Sequence, residues 1–141
     1  MANQRFEKLF SPEEANELIP RLELLVRDMQ NALKALRARV AELAVNDADV
    51  VNLTLPDIIK RYPELSGPGE AMAEAMSQIE SLGCFLKDVD QGLVDFPFEN
   101  GEEVAFLCWQ YGEQQLIAWH PIESGFGGRQ PLPGTVKPYL H

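Results

Sequence analysis

Polar side chains that could take part in catalysis or metal binding concentrate in the C-terminal half of this 141-residue chain. They are Lys87, Asp88, Asp95, Cys108, Glu113, His120 and Arg129. Asp95 is the most informative, because it lies between Val94 and Phe96 in an apolar run, where a carboxylate is costly unless it is paired. Lys87 and Arg129 are among the few cations of this half, and we expect one of them to be the partner of Asp95.

Two interpretations of this polar set are open. In the first, an ion pair of Asp95 fixes the C-terminal tail to a sheet and has no further role. In the second, a ligand-binding pocket is built around Lys87, Asp95, Trp119, His120 and Arg129. The second interpretation predicts a pocket with convergent polar atoms beside the tryptophans, whereas an interaction or scaffold protein would have a filled core and no cavity there.

A metal site would combine Asp95 and His120 with Glu113 or Cys108, which are ligand types suited to zinc or iron. A nucleophilic Cys108 would need His120 as its base. Strand alternation places Asp95 and Cys108 on the face opposite His120, unless the third strand is shifted by one residue. We therefore assign no catalytic residue, metal ligand or cofactor. The glycine-rich run at 125–129 resembles a phosphate loop in composition only, because no helix follows it.

The strands that carry these residues are predicted by two turn signals. Asn100-Gly101 separates two apolar runs, which favours a type I′ hairpin, and a second turn at 111–114 follows. Three strands result, at about 93–98, 103–110 and 115–120. A trial register pairs Glu99 with Glu102 and Gln110 with Gln115. Both faces are then largely apolar, so a second chain, the C-terminal tail or the loop around Pro56 must cover the face that helices leave open.

Two helices are predicted to form the other layer. Ser11 and Glu14 make a capping box with Pro12 between them, and apolar residues at helical spacing continue to about residue 46. Pro20 predicts a kink or a break at 16–20. A second helix is expected at 68–90, and the segment 46–69 is an irregular insert whose residues 55–62 should fold against the core.

The resulting fold class is α+β, with a long antiparallel helical hairpin (11–90) packed on a three-stranded antiparallel β-meander (92–120). An ordered C-terminal tail (121–141) completes a single domain, 1–141. Because the second helix is the shorter one, part of the first is left uncovered. This apolar overhang predicts a homodimer through the helical hairpin.

Composition limits the classes of molecule that this protein is expected to bind. The net charge is −10, and residues 62–141 hold twelve acidic side chains against three basic ones. Such a surface repels phosphate backbones, so we expect no nucleic-acid partner, and a basic protein is the more compatible one. Two cysteines do not suggest a disulfide framework. No signal-like or membrane-spanning segment is present, and we expect a cytoplasmic protein.

Several motifs carry a family resemblance. FSPEEANELIPRL at 10–22 and LKD at 86–88 precede GLVDFP at 92–97, LCW at 107–109, GE at 112–113, WH at 119–120 and GFGGRQPL at 125–132. In order and spacing these resemble the bacterial domain-of-unknown-function family 2203. The resemblance implies a cytoplasmic bacterial protein and supplies no activity, cofactor or catalytic residue. It does not cover about 45–69.

The sequence thus favours a non-enzymatic, dimeric interaction or scaffold protein. The alternative is a small-molecule or metal-binding protein, including an enzyme, with its site beside the meander and the C-terminal loop.

Overall fold

The computed structural model describes residues 6–133, which form a long N-terminal helix and a five-stranded antiparallel sheet in an α+β fold. In chain order the elements are α1 (Pro12–Leu43), α2 (Leu55–Arg61), α3 (Ser66–Ser81), β1 (Phe85–Asp88), β2 (Leu93–Asn100), β3 (Glu103–Gln110), β4 (Ala118–Pro121) and β5 (Gln130–Pro131). The strands lie in the sheet in chain order. Within the described range, no helix has the length and apolar character needed to cross a membrane.

Helix α1 begins where its capping signals predict. The Ser11 hydroxyl accepts a hydrogen bond from the Glu14 backbone N–H at 3.1 Å, and the Glu14 carboxylate accepts one from the Ser11 N–H at 2.8 Å. The helix continues through Pro20 to Leu43, so of the two predicted alternatives the break is wrong and the kink stays a prediction. Pro20 is exposed, while Ile19 and Leu22 beside it are buried. Burial of the apolar face outweighs the one helical hydrogen bond that proline removes.

Helix α3 is shorter than the helix predicted at 68–90. It ends at Ser81, and Gly83 follows with φ +96°, a left-handed conformation that commonly ends helices. The residues expected in its last turns instead form β1, from which Leu86 packs onto the main core. The apolar spacing was misleading because Leu86, which points from β1 toward the core, also stands where a continuing helix would place an apolar residue.

The sheet has five strands where three were predicted. Strand β1 comes from the expected helix and β5 from the expected tail. At the β2–β3 turn Asn100 pairs with Glu103, so Gly101 and Glu102 form the loop. Gly101 has φ +68°, and no non-glycine residue in 6–133 has positive φ, which fits a type II′ turn rather than the predicted type I′. The pairing differs from the prediction by two residues, so the faces of β2 and β3 are as predicted.

The β3–β4 connection departs from the prediction by an odd number of residues. Cys108 pairs with Ala118 and Phe106 with His120, whereas the trial register paired Gln110 with Gln115. Residues 111–117 form a longer connection, which is held in place by one local hydrogen bond and one tertiary hydrogen bond. The Trp109 indole N–H donates to the Glu113 carbonyl at 2.9 Å, and the Asn16 side chain on α1 accepts from the Leu116 N–H at 2.7 Å. Every β4 side chain therefore lies on the face opposite to the expected one.

The helices cover one face of the sheet. The buried sheet residues of this helix-covered face are Val94, Phe96, Phe98, Ala105, Leu107 and Trp109, and they pack against Ile19, Leu22, Val26 and Met29 of α1 and Ala75 and Ile79 of α3. The other face is covered by the chain itself. The Phe6 ring contacts those of Phe85 and Phe106 at centroid distances of 5.8 and 5.7 Å, and Ile122 and Phe126 lie on the same face. The C-terminal segment thus covers part of this face, as one of the three predicted covers, and Phe6 is a cover that was not predicted.

A second core covers the far end of α1. Leu36 packs there with Val50, Ile58 and Leu65, all buried. Its centre is α2, whose N-cap Thr54 accepts a hydrogen bond from the Asp57 N–H at 3.4 Å. The expectation that 55–62 folds against the core is confirmed. Because the insert occupies the overhang, the overhang no longer supports a homodimer.

Candidate functional site

Asp95 lies in the middle of β2 and is only 3% exposed, although its neighbours in sequence are apolar. Its carboxylate faces His120 rather than a lysine or an arginine. The His120 Nε2 atom is 3.1 Å from both carboxylate oxygens, and His120 is also 3% exposed. The sequence-based prediction that strand alternation separates these two residues is wrong, because the one-residue displacement of β4 brings them to one face.

The orientation of the His120 ring fixes where its protons lie. Its Nδ1 atom is 2.8 Å from the Pro121 carbonyl oxygen, and a carbonyl can only accept, so Nδ1 carries a proton. In the neutral ring Nε2 then has a lone pair that points at the carboxylate. Two acceptors would face each other, unless a proton or a metal ion lies between them. One proton or one metal ion must therefore lie between the two side chains.

Cys108 completes a cluster of three potential metal ligands. It pairs with Asp95 across β2 and β3, and one ligand atom from each of Asp95, Cys108 and His120 lies within 4.8 Å of the others. Burial raises the pKa of the Cys108 thiol to about 12, and the neighbouring Asp95 charge acts in the same direction. Burial also raises the pKa of Asp95, against the opposing effects of His120 and Lys87. Cys108 is thus a neutral thiol near pH 7 and a poor nucleophile without a metal.

A cavity of about 130 Å³ opens beside this cluster. Asp95, Cys108 and His120 line it together with Lys87, Phe106 and Phe126, and Leu93, Ile122, Ser124 and Gly125 complete the wall. The cavity has convergent polar atoms, as the ligand-binding interpretation requires, but neither tryptophan lines it, so it does not lie where that interpretation placed it.

Lys87 borders the cavity from β1, at an irregularity in the pairing of β1 with β2. Its ammonium group lies over the Phe106 ring at 4.9 Å and the Phe85 ring at 5.7 Å. Within residues 6–133 it has no ion-pair partner at 4.0 Å or less. Asp95 is close enough for the Lys87 charge to oppose the rise of its pKa.

Arg129 lies beside the site and not in it. It binds Glu113 through contacts of 2.7 and 2.9 Å and donates to the Cys108 carbonyl at 3.0 Å. Its guanidinium group stacks on the Phe126 ring at 4.7 Å. The predicted pairing of Arg129 or Lys87 with Asp95 is therefore wrong. Arg129 instead fixes the C-terminal segment, including the wall residue Phe126, to the end of β3.

Trp119 does not join the other predicted site residues. It pairs with Leu107 on the helix-covered face and lies near Phe98, with ring centroids 6.3 Å apart. A separate cavity of about 120 Å³ adjoins it and includes Glu103 and Glu123. Of the five predicted site residues, the structure brings together Lys87, Asp95 and His120.

The sequence offered a weak signal for the residues left out of the predicted set. Cys108 is a metal-ligand type at the strand position that pairs with Asp95, and its role depends on the placement of His120. Phe126 and Ser124 belong to a segment with no regular periodicity, so their position over the sheet follows only from tertiary contacts.

A family model described as "Uncharacterized conserved protein (DUF2203)" matches residues 8–132, and the chain belongs to this family. The resemblance noted from the sequence motifs is thereby confirmed. No curated protein and no solved structure gives a significant match to the chain. The geometry of the site is therefore the basis for a functional proposal.

Proposed function

We propose that this member of the DUF2203 family is a metal-binding protein, in which Asp95, Cys108 and His120 hold a divalent transition-metal ion. The single observation that carries the proposal is the convergence of the three ligand types within 4.8 Å at a buried site beside a cavity. Each of the three is 3% exposed or less, so the site is shielded from water except through the cavity.

The His120 ring has the arrangement expected of a metal ligand. Histidines that bind metals through one ring nitrogen usually donate the other N–H to a carboxylate or a backbone carbonyl, which fixes the ring and its tautomer. In this chain Nδ1 contacts the Pro121 carbonyl at 2.8 Å and leaves Nε2 for the metal. A bound ion would also replace the proton that otherwise has to lie between Nε2 and the Asp95 carboxylate.

The distances between ligand atoms support one shared ion. Two ligands bound at about 2.0–2.2 Å with an angle of about 90–110° lie roughly 3.0–3.5 Å apart. The His120 Nε2 atom and the Asp95 oxygens are separated by 3.1 Å. The cluster as a whole extends to 4.8 Å, so a tetrahedral ion requires a small rotation of one side chain, for which the cavity provides room.

Ligand type indicates which metals fit. A thiol, an imidazole and one carboxylate favour Zn²⁺ or Fe²⁺ over Mg²⁺ or Ca²⁺, which prefer several oxygen ligands. Three protein ligands leave one position open in a tetrahedral ion, and such open positions are typical of sites that bind an exogenous molecule. The open position here would face the cavity.

Cobalt substitution tests the proposal, because Co²⁺ occupies zinc sites and its absorption reports a thiolate ligand. Metal-free protein is titrated with Co²⁺ and Zn²⁺, and we expect one ion per chain and a thiolate-to-cobalt band. The band should disappear in Cys108→Ser and persist in Cys84→Ser, the matched control, since Cys84 is equally buried but outside the cluster. His120→Ala should lower the affinity for Co²⁺ at least about 100-fold, because removal of a direct ligand weakens metal binding more than removal of a residue that only supports a ligand.

Two results would refute the metal site. One is wild-type protein, folded by circular dichroism, that takes up neither ion. The other is a cobalt band that is unchanged in Cys108→Ser and lost in Cys84→Ser.

An interaction role is the second candidate function. The net charge of −10 supports a basic protein as partner, and Leu24 and Val51 are exposed by 53% and 61% and could contribute to a contact between two copies. Light scattering coupled to size exclusion tests the dimer. A monomer at all concentrations, together with no salt-sensitive capture of basic proteins, would remove this candidate.

A further inference from the structure

The cavity beside the Asp95, Cys108 and His120 cluster has one cationic group and mostly apolar walls. Leu93, Phe106, Ile122 and Phe126 supply the apolar surface. Lys87 supplies the cation, and no carboxylate of residues 6–133 lies within ion-pair distance of it. Residues 62–133 contain one other cationic side chain, Arg129, which is paired with Glu113. Lys87 is thus the cation of this acidic region that can pair with a ligand.

Charge balance at the metal site predicts the sign of a ligand. A divalent ion with one carboxylate, one thiolate and one neutral imidazole has no net charge. Lys87 adds one positive charge at the rim of the cavity. A molecule with one negative charge therefore neutralises the site, whereas a cation would be repelled.

Cavity size limits the rest of the ligand. The volume is about 130 Å³, close to the roughly 150 Å³ cavity that holds a molecule of benzene in another protein. A bare oxyanion would leave the apolar walls in contact with water. A chain or ring of about four to six carbon and oxygen atoms would fill the space.

We infer that the cavity binds a small monocarboxylate with an apolar tail, whose carboxylate occupies the open metal position and pairs with Lys87. The tail lies between the Phe106 and Phe126 rings. This assignment rests on the metal site proposed above, and it adds the chemical class of the molecule bound there. It also gives the C-terminal segment a role, because Ile122 and Phe126 close the cavity over the sheet.

Three probes of equal length separate charge from shape. Sodium butyrate, 1-butanol and n-butylammonium are titrated by calorimetry into both the metal-free and the cobalt-loaded protein, and cobalt absorption is recorded in parallel. We expect butyrate to bind the cobalt-loaded protein at least about tenfold more tightly than butanol and to change the cobalt spectrum. The difference in affinity between butyrate and butylammonium should be larger still.

Lys87→Met tests the named cation. Methionine keeps an unbranched side chain on the phenylalanine rings and removes only the charge, and Lys87 is exposed, so folding should be preserved. We expect butyrate affinity to fall about tenfold while cobalt affinity stays within about twofold. Lys60→Met is the matched control, because Lys60 is an exposed lysine of α2 that does not line the cavity, and it should change neither value.

The outcomes distinguish this inference from the metal proposal. Cobalt binding with equal affinities for butyrate and butanol, or with butyrate binding unaffected by Lys87→Met, overturns the monocarboxylate assignment and leaves the metal site standing. Butyrate binding that depends on Lys87 in a protein that takes up no metal overturns the metal site and retains the carboxylate pocket. Failure of both titrations overturns both.

Discussion

The two faces of the sheet are both buried, yet they differ in what they bury. The helix-covered face contributes apolar side chains such as Phe96, Leu107 and Trp109 to the main core. The opposite face holds Asp95 and His120, the two buried polar or charged side chains of the described chain, and a cavity lies beside them. Burial alone therefore does not distinguish a face that is purely apolar from one that holds polar side chains and a cavity.

The covers of the two faces explain the difference. A helix satisfies its own backbone groups and offers an apolar stripe, so the surface beneath it can close-pack. The segment after β4 is irregular, and the Pro121 carbonyl at the end of β4, where this segment begins, is the acceptor that orients His120. The irregular segment also packs less completely against the sheet than the helices do, and it leaves the cavity beside Asp95 and His120. An irregular cover thus makes buried polar chemistry possible on this face.

Truncation of one phenylalanine on each face should give the largest contrast in stability. We expect Phe96→Ala to cost about 3–5 kcal/mol, because the side chain is fully buried and its removal creates a cavity. Phe106→Ala should cost roughly half as much, since its ring already borders open space. Urea unfolding of metal-free protein measures both. Equal losses would mean that the two faces pack alike.

The buried pair should behave as a unit in the metal-free protein. We expect His120→Leu or Asp95→Leu alone to cost roughly 2–4 kcal/mol, because each leaves a buried polar group without its partner. The double variant should lie within about 1 kcal/mol of wild type, since apolar replacement of both partners removes that penalty. The comparison is made by urea unfolding with chelator present. Additive losses would show that the pair is not coupled.

The second core provides a comparison inside the helical layer. Ile58→Ala should cost about 2–3 kcal/mol, because the buried side chain belongs to a small cluster. Amide exchange should accelerate mainly in residues 46–69. Cobalt affinity should be unchanged, because the site lies on the far side of the sheet. Equal acceleration in β2 and β3 would contradict the independence of the two cores.

Asp47 should give the smallest effect and a defined pH dependence. The Tyr62 hydroxyl at 2.7 Å and the Arg61 guanidinium hold the pKa of Asp47 below its usual value. A lowered folded-state pKa gives a stabilisation that is present above the ordinary aspartate pKa of about 3.9 and is lost as pH falls through the lowered value. The melting temperatures of wild type and Asp47→Asn should therefore converge as the pH falls. A difference in melting temperature that grows in acid would contradict a lowered pKa of Asp47 in the folded state.

Much of the helical layer could be predicted from local signals. The capping box at Ser11 and Glu14, the apolar face of α1 and the short helix after Thr54 all depend on residues near one another in sequence. The end of α3 has one local signal, Gly83, but the apolar spacing continues past it. Leu86 fits either a helix or a strand, and the pairing of β1 with β2 decides between them.

The candidate site was predicted in part. The sequence alone identified Asp95 as a buried acid that needs a partner, and proposed Lys87 and His120 as candidate site residues. It also determined the α+β class, the acidic surface and the faces of β2 and β3, because these follow from composition and from a two-residue period. The partner of Asp95 was not determined, because it depends on whether β4 shifts by one residue.

Only the tertiary structure decided that shift. The connection at 111–117 is positioned by the Trp109 indole, which is four residues from the Glu113 carbonyl that it binds, and by Asn16 of α1, which is 100 residues from Leu116. A one-residue change reverses every side chain of a strand, so these few contacts determine whether His120 meets Asp95 or lies on the other face. Local turn chemistry contains no information about the Asn16 contact, which comes from a residue 100 positions away in sequence.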